Sequence, residues 1–242
     1  MKIHVFSDLR LLYLEAANFV AKKIMAKPKL CMGLAAGNTP TRLYENLIEL
    51  YQQKQLSFSS VTTFNLDEFY GLASSSSSSF THYIYDTFLK NIDSKKNHSY
   101  SLDGLRTDHE RHCEEYEDKI RSSGGIDLQI LGLGNNGHIA FNEPGSEKNS
   151  KTRLIDLSVA SRNANQNRFK GPVPEQALTM GIQTISDAKT IVLLATGDSK
   201  SQAVKQLVEG SDSNEWPCIY LQKHPDLHCF LDAKAAKLLT KS

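Results

Sequence analysis

The residues able to do chemistry collect in three short stretches, each following an apolar run. In Phe64-Asn65-Leu66-Asp67-Glu68-Phe69-Tyr70-Gly71 two adjacent carboxylates stand between aromatics. A carboxylate at the mouth of a cleft, desolvated by neighbours such as Leu66 and Phe69, gains the proton affinity that a general base needs near neutral pH. In the stretch from Leu131 to Gly145, His138 follows a glycine-rich turn and Glu143 stands five residues beyond it. That histidine is one of eight; His98, His109 and His112 lie in charged, hydrophilic surroundings and are assigned no role. In Leu34-Ala35-Ala36-Gly37-Asn38-Thr39-Pro40-Thr41 a small-residue turn leads into a helix with proline in its first turn. Backbone N–H groups at such a start, reinforced by the helix dipole, cradle an anion. Gly37 lets a phosphate approach the chain closely, and Asn38, Thr39 and Thr41 offer polar hydrogens.

Two cations suit the same ligand. Arg168 follows Asn-Ala-Asn-Gln-Asn, and Lys200 follows Ala-Thr-Gly-Asp-Ser at a fourth strand end. Together these sites predict a phosphorylated, non-aromatic small molecule facing a base, an acid and no metal. Gly132, Gly134 and Gly137 also spell a G-x-G-x-x-G fingerprint of dinucleotide folds. That fingerprint needs a long helix opening at its third glycine, and Pro144 and Gly145 arrive too soon to permit one. NAD is rejected on that ground.

These residues need strands and helices to hold them. Apolar strand-like runs fall at 2–6, 30–36, 61–66, 126–133, 190–196, 218–221 and 227–231. Helical periods fall between them, beginning with Leu9, Leu12, Ala16, Phe19, Val20 and Ile24 and stopped by Pro28. Further helices are expected from the Gly37 turn to about Tyr51, at 82–89, 108–122, 158–168, 174–185 and 198–208, and at the end of the chain. The alternation predicts an α/β fold, with an open, mainly parallel, Rossmann-like sheet covered by helices on both faces. Ligands of such sheets bind beyond the carboxyl ends of the strands, where the three stretches fall. No composition break divides the 242 residues, so one domain is expected over 1–242. The six serines at 74–79 read as a mobile surface loop that adds nothing to a core.

Composition narrows the function. Lys plus Arg is 28 and Asp plus Glu is 27, a formal net charge of +1. That balance argues against nucleic acid as a partner, because phosphate backbones need a basic excess. Mean hydropathy is −0.39 and no apolar run approaches eighteen residues, which argues against a membrane-spanning helix. The four cysteines form no Cys-x-x-Cys pair, and Cys31, Cys218 and Cys229 lie in apolar runs as small hydrophobes. With no signal-peptide core at the start of the chain, a reduced cytoplasmic protein is the expectation.

At these positions the chain resembles the glucosamine-6-phosphate deaminase (isomerase) family. The matching blocks are LAAGNTP at 34–40, TTFNLDEFYGL at 62–72 and LGLGNNGHIAFNEPGS at 131–146. To these add KTR at 151–153, NRF at 167–169, ALTMGIQTI at 177–185 and ATGDSK at 195–200, in order over nearly the whole chain. The resemblance implies conversion of glucosamine 6-phosphate and water to fructose 6-phosphate and ammonia, with neither metal nor organic cofactor. It implies that Asp67 shuttles a proton between C2 and C1, and that His138 opens the pyranose ring, oriented by Glu143. Asn136 joins these catalytic positions, and Gly37, Asn38, Thr39, Arg168 and Lys200 match the phosphate-binding positions.

Three departures stand out. Many members carry Asp where this chain has Asn136, a residue that can hydrogen-bond His138 without stabilising imidazolium by charge. The loop after Gly71 is usually acidic and proline-bearing, and here it is polyserine. The chain ends without the C-terminal extension of longer, allosterically activated members, and Ile155 replaces a lysine of their activator site. No activation by N-acetylglucosamine 6-phosphate is therefore expected, with a monomer or small homo-oligomer. Galactosamine 6-phosphate is the alternative substrate, since a few pocket contacts decide the C4 epimer. A 6-phosphogluconolactonase or a non-catalytic sugar-phosphate sensor are the more distant alternatives.

Overall fold

The computed structural model describes residues 1–211 and 213–240. Seven strands form one sheet, every pair parallel, in the order β1 (Lys2–Phe6), β10 (Leu227–Asp232), β9 (Thr190–Ala195), β6 (Leu128–Gly132), β2 (Cys31–Leu34), β3 (Thr62–Asn65) and β5 (Ser99–Tyr100). The central strands are apolar on both faces because both faces are covered. Along β9, Val192 and Leu194 pack under α1 (Leu9–Ala26), α2 (Asn38–Gln52) and α3 (Phe80–Thr87). Ile191 and Leu193 point the other way, toward α4 (His109–Ser122), α6 (Ile182–Ser186) and α7 (Ser201–Glu209). Successive strand residues face opposite sides, so one apolar run feeds two cores. No helix among the described residues is long and apolar enough to cross a membrane.

Chain order sets the position of the crevice. From β2 the chain adds β3 on one side, whereas β6 comes in later on the other. Their connections leave toward opposite faces, and a gap opens at the carboxyl ends of β2 and β6. A small antiparallel sheet closes one wall: β4 (Asp67–Phe69), β8 (Gln176–Thr179) and β7 (Arg153–Asp156). Helix α5 (Val159–Asn165), capped by the Ser158 hydroxyl, runs into a 3₁₀ turn at Gln166–Arg168. No helix follows Gly137 before α5, as the glycine-rich turn required.

Four expectations are corrected. The stretch at 174–185 is not one helix: Gln176–Thr179 is the strand β8, with only Ile182–Ser186 helical. Ala177 and Leu178 are both buried, in different clusters, so the strand shows no alternation and its apolar spacing imitates a helix. Residues 218–221 are not a strand, because Pro217 starts a 3₁₀ helix, Pro217–Leu221, in which Cys218 donates its N–H to the Gly137 carbonyl at 2.9 Å. The expected last helix is replaced by turns at 233–238, where the Asp232 carboxylate takes the Ala235 N–H at 2.8 Å. The polyserine run is only partly a surface loop. Ser79 is fully buried and caps α3 by accepting the His82 N–H at 3.2 Å, and Ser78 donates to the Arg168 carbonyl at 2.5 Å.

Candidate active site

A cleft of about 480 Å³ opens over the carboxyl ends of β2 and β6. Gly37, Asn38, Thr39, Asp67, His138, Arg168 and Lys200 all line it. The cradle begins where β2 stops. Gly37 takes φ 108°, a conformation that glycine adopts without strain, and α2 starts at the next residue. Thr41 faces inward instead, donating its hydroxyl to the Gly37 carbonyl at 2.9 Å and contacting the Tyr83 hydroxyl. It stiffens the turn from behind rather than offering a hydrogen to a ligand. The Arg168 guanidinium lies 5.0 Å from the Phe80 ring centre and 4.5 Å from that of Tyr83, and its buried Nε has no hydrogen-bond partner among the described residues. Lys200 ends a 3₁₀ turn, Asp198–Lys200, after Gly197, whose N–H is held by both Asp232 oxygens at 3.0 and 3.1 Å. Burial lowers the proton affinity of the Lys200 ammonium.

Asp67 enters the cleft from β4, its backbone paired with Thr179 of β8. It is 8% exposed, and burial pushes its carboxyl up to about 7. The adjacent Glu68 charge pushes in the same direction, and the Arg168 cation opposes both. The Thr179 hydroxyl accepts the Phe141 N–H at 3.2 Å, so β8 ties the Asp67 strand to the loop that carries His138.

His138 is fixed from below by a chain of hydrogen bonds. Glu143 accepts from Ser161 and, at 3.2 Å, from Ser158, both through Oε1. Its Oε2 accepts the Asn136 Nδ2 at 2.8 Å. A carboxylate can only accept, so Asn136 must turn its amide nitrogen toward Glu143 and its oxygen toward His138. That oxygen lies 2.7 Å from His138 Nδ1, which places the ring proton on Nδ1 and the lone pair on Nε2. Glu143 itself is 3.7 Å from Nδ1, so its hydrogen bonding reaches the imidazole through Asn136 while its charge acts across the gap. Burial lowers the His138 proton affinity, Glu143 raises it and Lys200 lowers it further, with a net shift downward. The ring rests on Gly134, where an added Cβ would lie 2.3 Å from Nδ1. Beyond it, Asn142 donates to the Ile139 and Met180 carbonyls at 2.9 and 2.8 Å and accepts from Arg153 at 2.9 Å.

The structure thus gathers the candidate positions other than Thr41 into one place, seven on the cleft wall and two behind the imidazole. Sequence reasoning missed Tyr83, Ser158, Ser161 and the burial of Glu68. Ser158 carried a signal, because it precedes a helical period in the way of an N-cap. Tyr83 and Ser161 carried none, since their roles depend on segments far apart in the chain.

Such an edge has the make-up of an enzyme site, with groups suited to a small anion at one end and to proton transfer at the other. Comparison with known proteins names the family more closely. The family described as glucosamine-6-phosphate isomerases/6-phosphogluconolactonase matches residues 10–229, and the chain belongs to it. A glucosamine-6-phosphate deaminase of Halothermothrix orenii is 42% identical over 241 residues, covering 99% of this chain and 100% of its own. Glucosamine-6-phosphate deaminase 1 of Bacillus subtilis is 44% identical over 225 residues, covering 92% and 93%. The solved structure of a monomeric glucosamine-6-phosphate deaminase superposes with a TM-score of 0.96 at 42% identity, covering 99% and 100% of the two chains. A 6-phosphogluconolactonase from Trypanosoma brucei superposes with a TM-score of 0.77 at 21% identity over 98% of each, which speaks for the fold alone.

Proposed function

We propose that this chain is a glucosamine-6-phosphate deaminase, turning glucosamine 6-phosphate and water into fructose 6-phosphate and ammonia. The observation that carries this reading is one cleft in which an anion cradle faces both a buried carboxyl group and an imidazole whose proton affinity burial lowers. The phosphate sits among the Gly37 turn, Arg168 and Lys200, which fixes the far end of the sugar and aligns C1 and C2. His138 Nε2 takes the proton of the anomeric hydroxyl and returns it to the ring oxygen, which opens the pyranose to an aldehyde. Asp67 then removes the C2 proton and delivers it to C1, while the aldehyde oxygen gains a proton and the amine nitrogen loses one, leaving a hydroxymethyl group at C1 and an imine at C2. Water adds there, the carbon–nitrogen bond breaks, and ammonia leaves with the ketose behind it. Asn136 and Glu143 hold the imidazole in the tautomer that this exchange needs.

The deciding experiment is ammonia release from glucosamine 6-phosphate and galactosamine 6-phosphate, side by side. Turnover of the glucosamine compound alone is expected. Preference for the 4-epimer would reassign the substrate, and acid release from a 6-phosphogluconolactone without ammonia from either would reject the reading. We expect the working unit to be a monomer, in line with the structural relative described as monomeric; sedimentation checks this.

A further inference from the structure

Glu68 has no part in the chemistry proposed above, yet it is fully buried beside the base. Asp67 and Glu68 are consecutive on β4, so their side chains leave opposite faces of the strand. Asp67 opens into the cleft, and Glu68 turns to the start of α3. There its Oε1 accepts the N–H groups of Phe69 at 2.9 Å and Phe80 at 3.1 Å. Its Oε2 accepts the Ser79 hydroxyl at 2.6 Å and the Thr81 N–H at 2.9 Å. All four are donors, three of them from residues 79–81, where a helix N-terminus leaves N–H groups without partners and favours negative charge.

What α3 carries makes this anchor matter. Phe80 and Tyr83 are the two rings against which the Arg168 guanidinium lies, and Ser78 holds the Arg168 carbonyl. The Tyr83 hydroxyl also donates to the Gly37 carbonyl at 3.3 Å, in the cradle turn itself. From these contacts we infer that Glu68 is a positioning residue: it locks the strand bearing the base to the helix that seats the phosphate cation, so that both ends of the sugar are held at one fixed spacing. The inference rests on the proposed function for its account of the sugar, and on geometry for the rest.

Electrostatics adds a second consequence. The groups that face Asp67 are Glu68 on its own strand, Arg168 from the turn after α5, Tyr44 from α2 and Tyr116 from α4. Among these, Glu68 is the one that adds negative charge beside the base, and Arg168 feels both carboxylates. Removing the Glu68 charge therefore weakens Asp67 as a base as well as loosening the cradle.

The test uses Glu68→Gln and Ser79→Ala in the full chain. Glutamine keeps the shape but loses the charge and one acceptor, whereas alanine at 79 keeps the charge and loses one donor. For Glu68→Gln the acid limb of kcat/KM is expected to fall by about half a pH unit or more, and KM to rise about tenfold. For Ser79→Ala, KM is expected to rise about threefold with the acid limb unmoved. A merely structural role would lower Tm in both variants without moving the acid limb or KM at temperatures where they are folded, and that result overturns the inference. Should Glu68→Gln fail to fold, wild-type KM in Ser79→Ala overturns it. Two readouts need no turnover: the Asp67 carboxyl titration followed by carbon NMR, and the affinity for inorganic phosphate. Both are expected to fall in Glu68→Gln, and no change in either overturns the inference even if neither amino-sugar phosphate is a substrate.

Discussion

Asp67 is costly to bury, and the sign of that cost is measurable. Its folded carboxyl is pushed up to about 7, mainly by burial, so between the ordinary carboxylate range and 7 the folded chain holds a proton that the unfolded chain has lost. Stability therefore falls as pH rises through that window. Replacing Asp67 by Asn is expected to lower turnover by about 10²–10⁴-fold and to stabilise the fold by roughly 1–3 kcal/mol at pH 8, with less gain at pH 5. Turnover assays and melts at the two pH values check both parts, and undiminished turnover would reject the base. Asn136 gives a second test at this scale. An aspartate there would face Glu143 across 2.8 Å, and their shared negative charge would favour imidazolium at His138. For Asn136→Asp the His138 titration is expected to move upward, with loss of activity on the acid side; proton NMR of the ring follows it. Residue types alone pointed to Asp67 and His138. That the hydrogen bond from Glu143 to the ring runs through Asn136 required the turn between them.

Individual elements decide how accurately those residues meet. Strand β8 pairs with β4 and holds the Phe141 N–H, so it spaces the base from the imidazole loop. This is the strand whose spacing imitated a helix, because Ala177 and Leu178 bury into separate clusters and erase the alternation. Six of the seven strands of the main sheet were legible because their apolar runs are short and bounded, whereas the two-residue β5 was not. The serine run was not, since its last residue is ordered by Glu68, eleven positions earlier. Helix starts were legible at Asp8, whose side chain accepts the Arg10 N–H at 2.7 Å, and at Gly37. The glycine-rich turn offers a test of this scale. In Gly134→Ala the new methyl would displace the His138 ring on which the proposed exchange depends. A fall in kcat of about ten- to a hundredfold is expected, with little change in KM because the cradle is untouched. Steady-state kinetics separates the two.

Across the whole molecule, chemistry and stability sit at opposite ends of the sheet. Below it, Asp127 is 7% exposed and takes the Lys27 ammonium at 2.6 Å, the Lys189 ammonium at 2.7 Å and the Cys31 N–H at 2.9 Å. Burial alone would raise this carboxyl, but the Cys31 N–H and the two ammoniums outweigh it and hold it below the ordinary range. Its stabilisation is complete above that range and is lost as pH falls through the lowered value. Replacing Asp127 by Ala should cost about 2–4 kcal/mol, because it leaves two ammoniums and a buried N–H unpaired, while kcat stays unchanged. Denaturant melts and turnover on the same preparation check this separation. The parallel sheet and its ligand edge could be read from strand–helix alternation, but the strand order that opens the crevice between β2 and β6 could not, since local pattern carries no pairing. One contact on that edge has a practical use. The chain holds a single tryptophan, Trp216, and its indole lies against Gly137, where an added Cβ would be 2.8 Å from Cε3. The indole thus lies against the residue that precedes His138 in the chain, so its fluorescence after rapid mixing is expected to give a label-free optical clock for substrate capture.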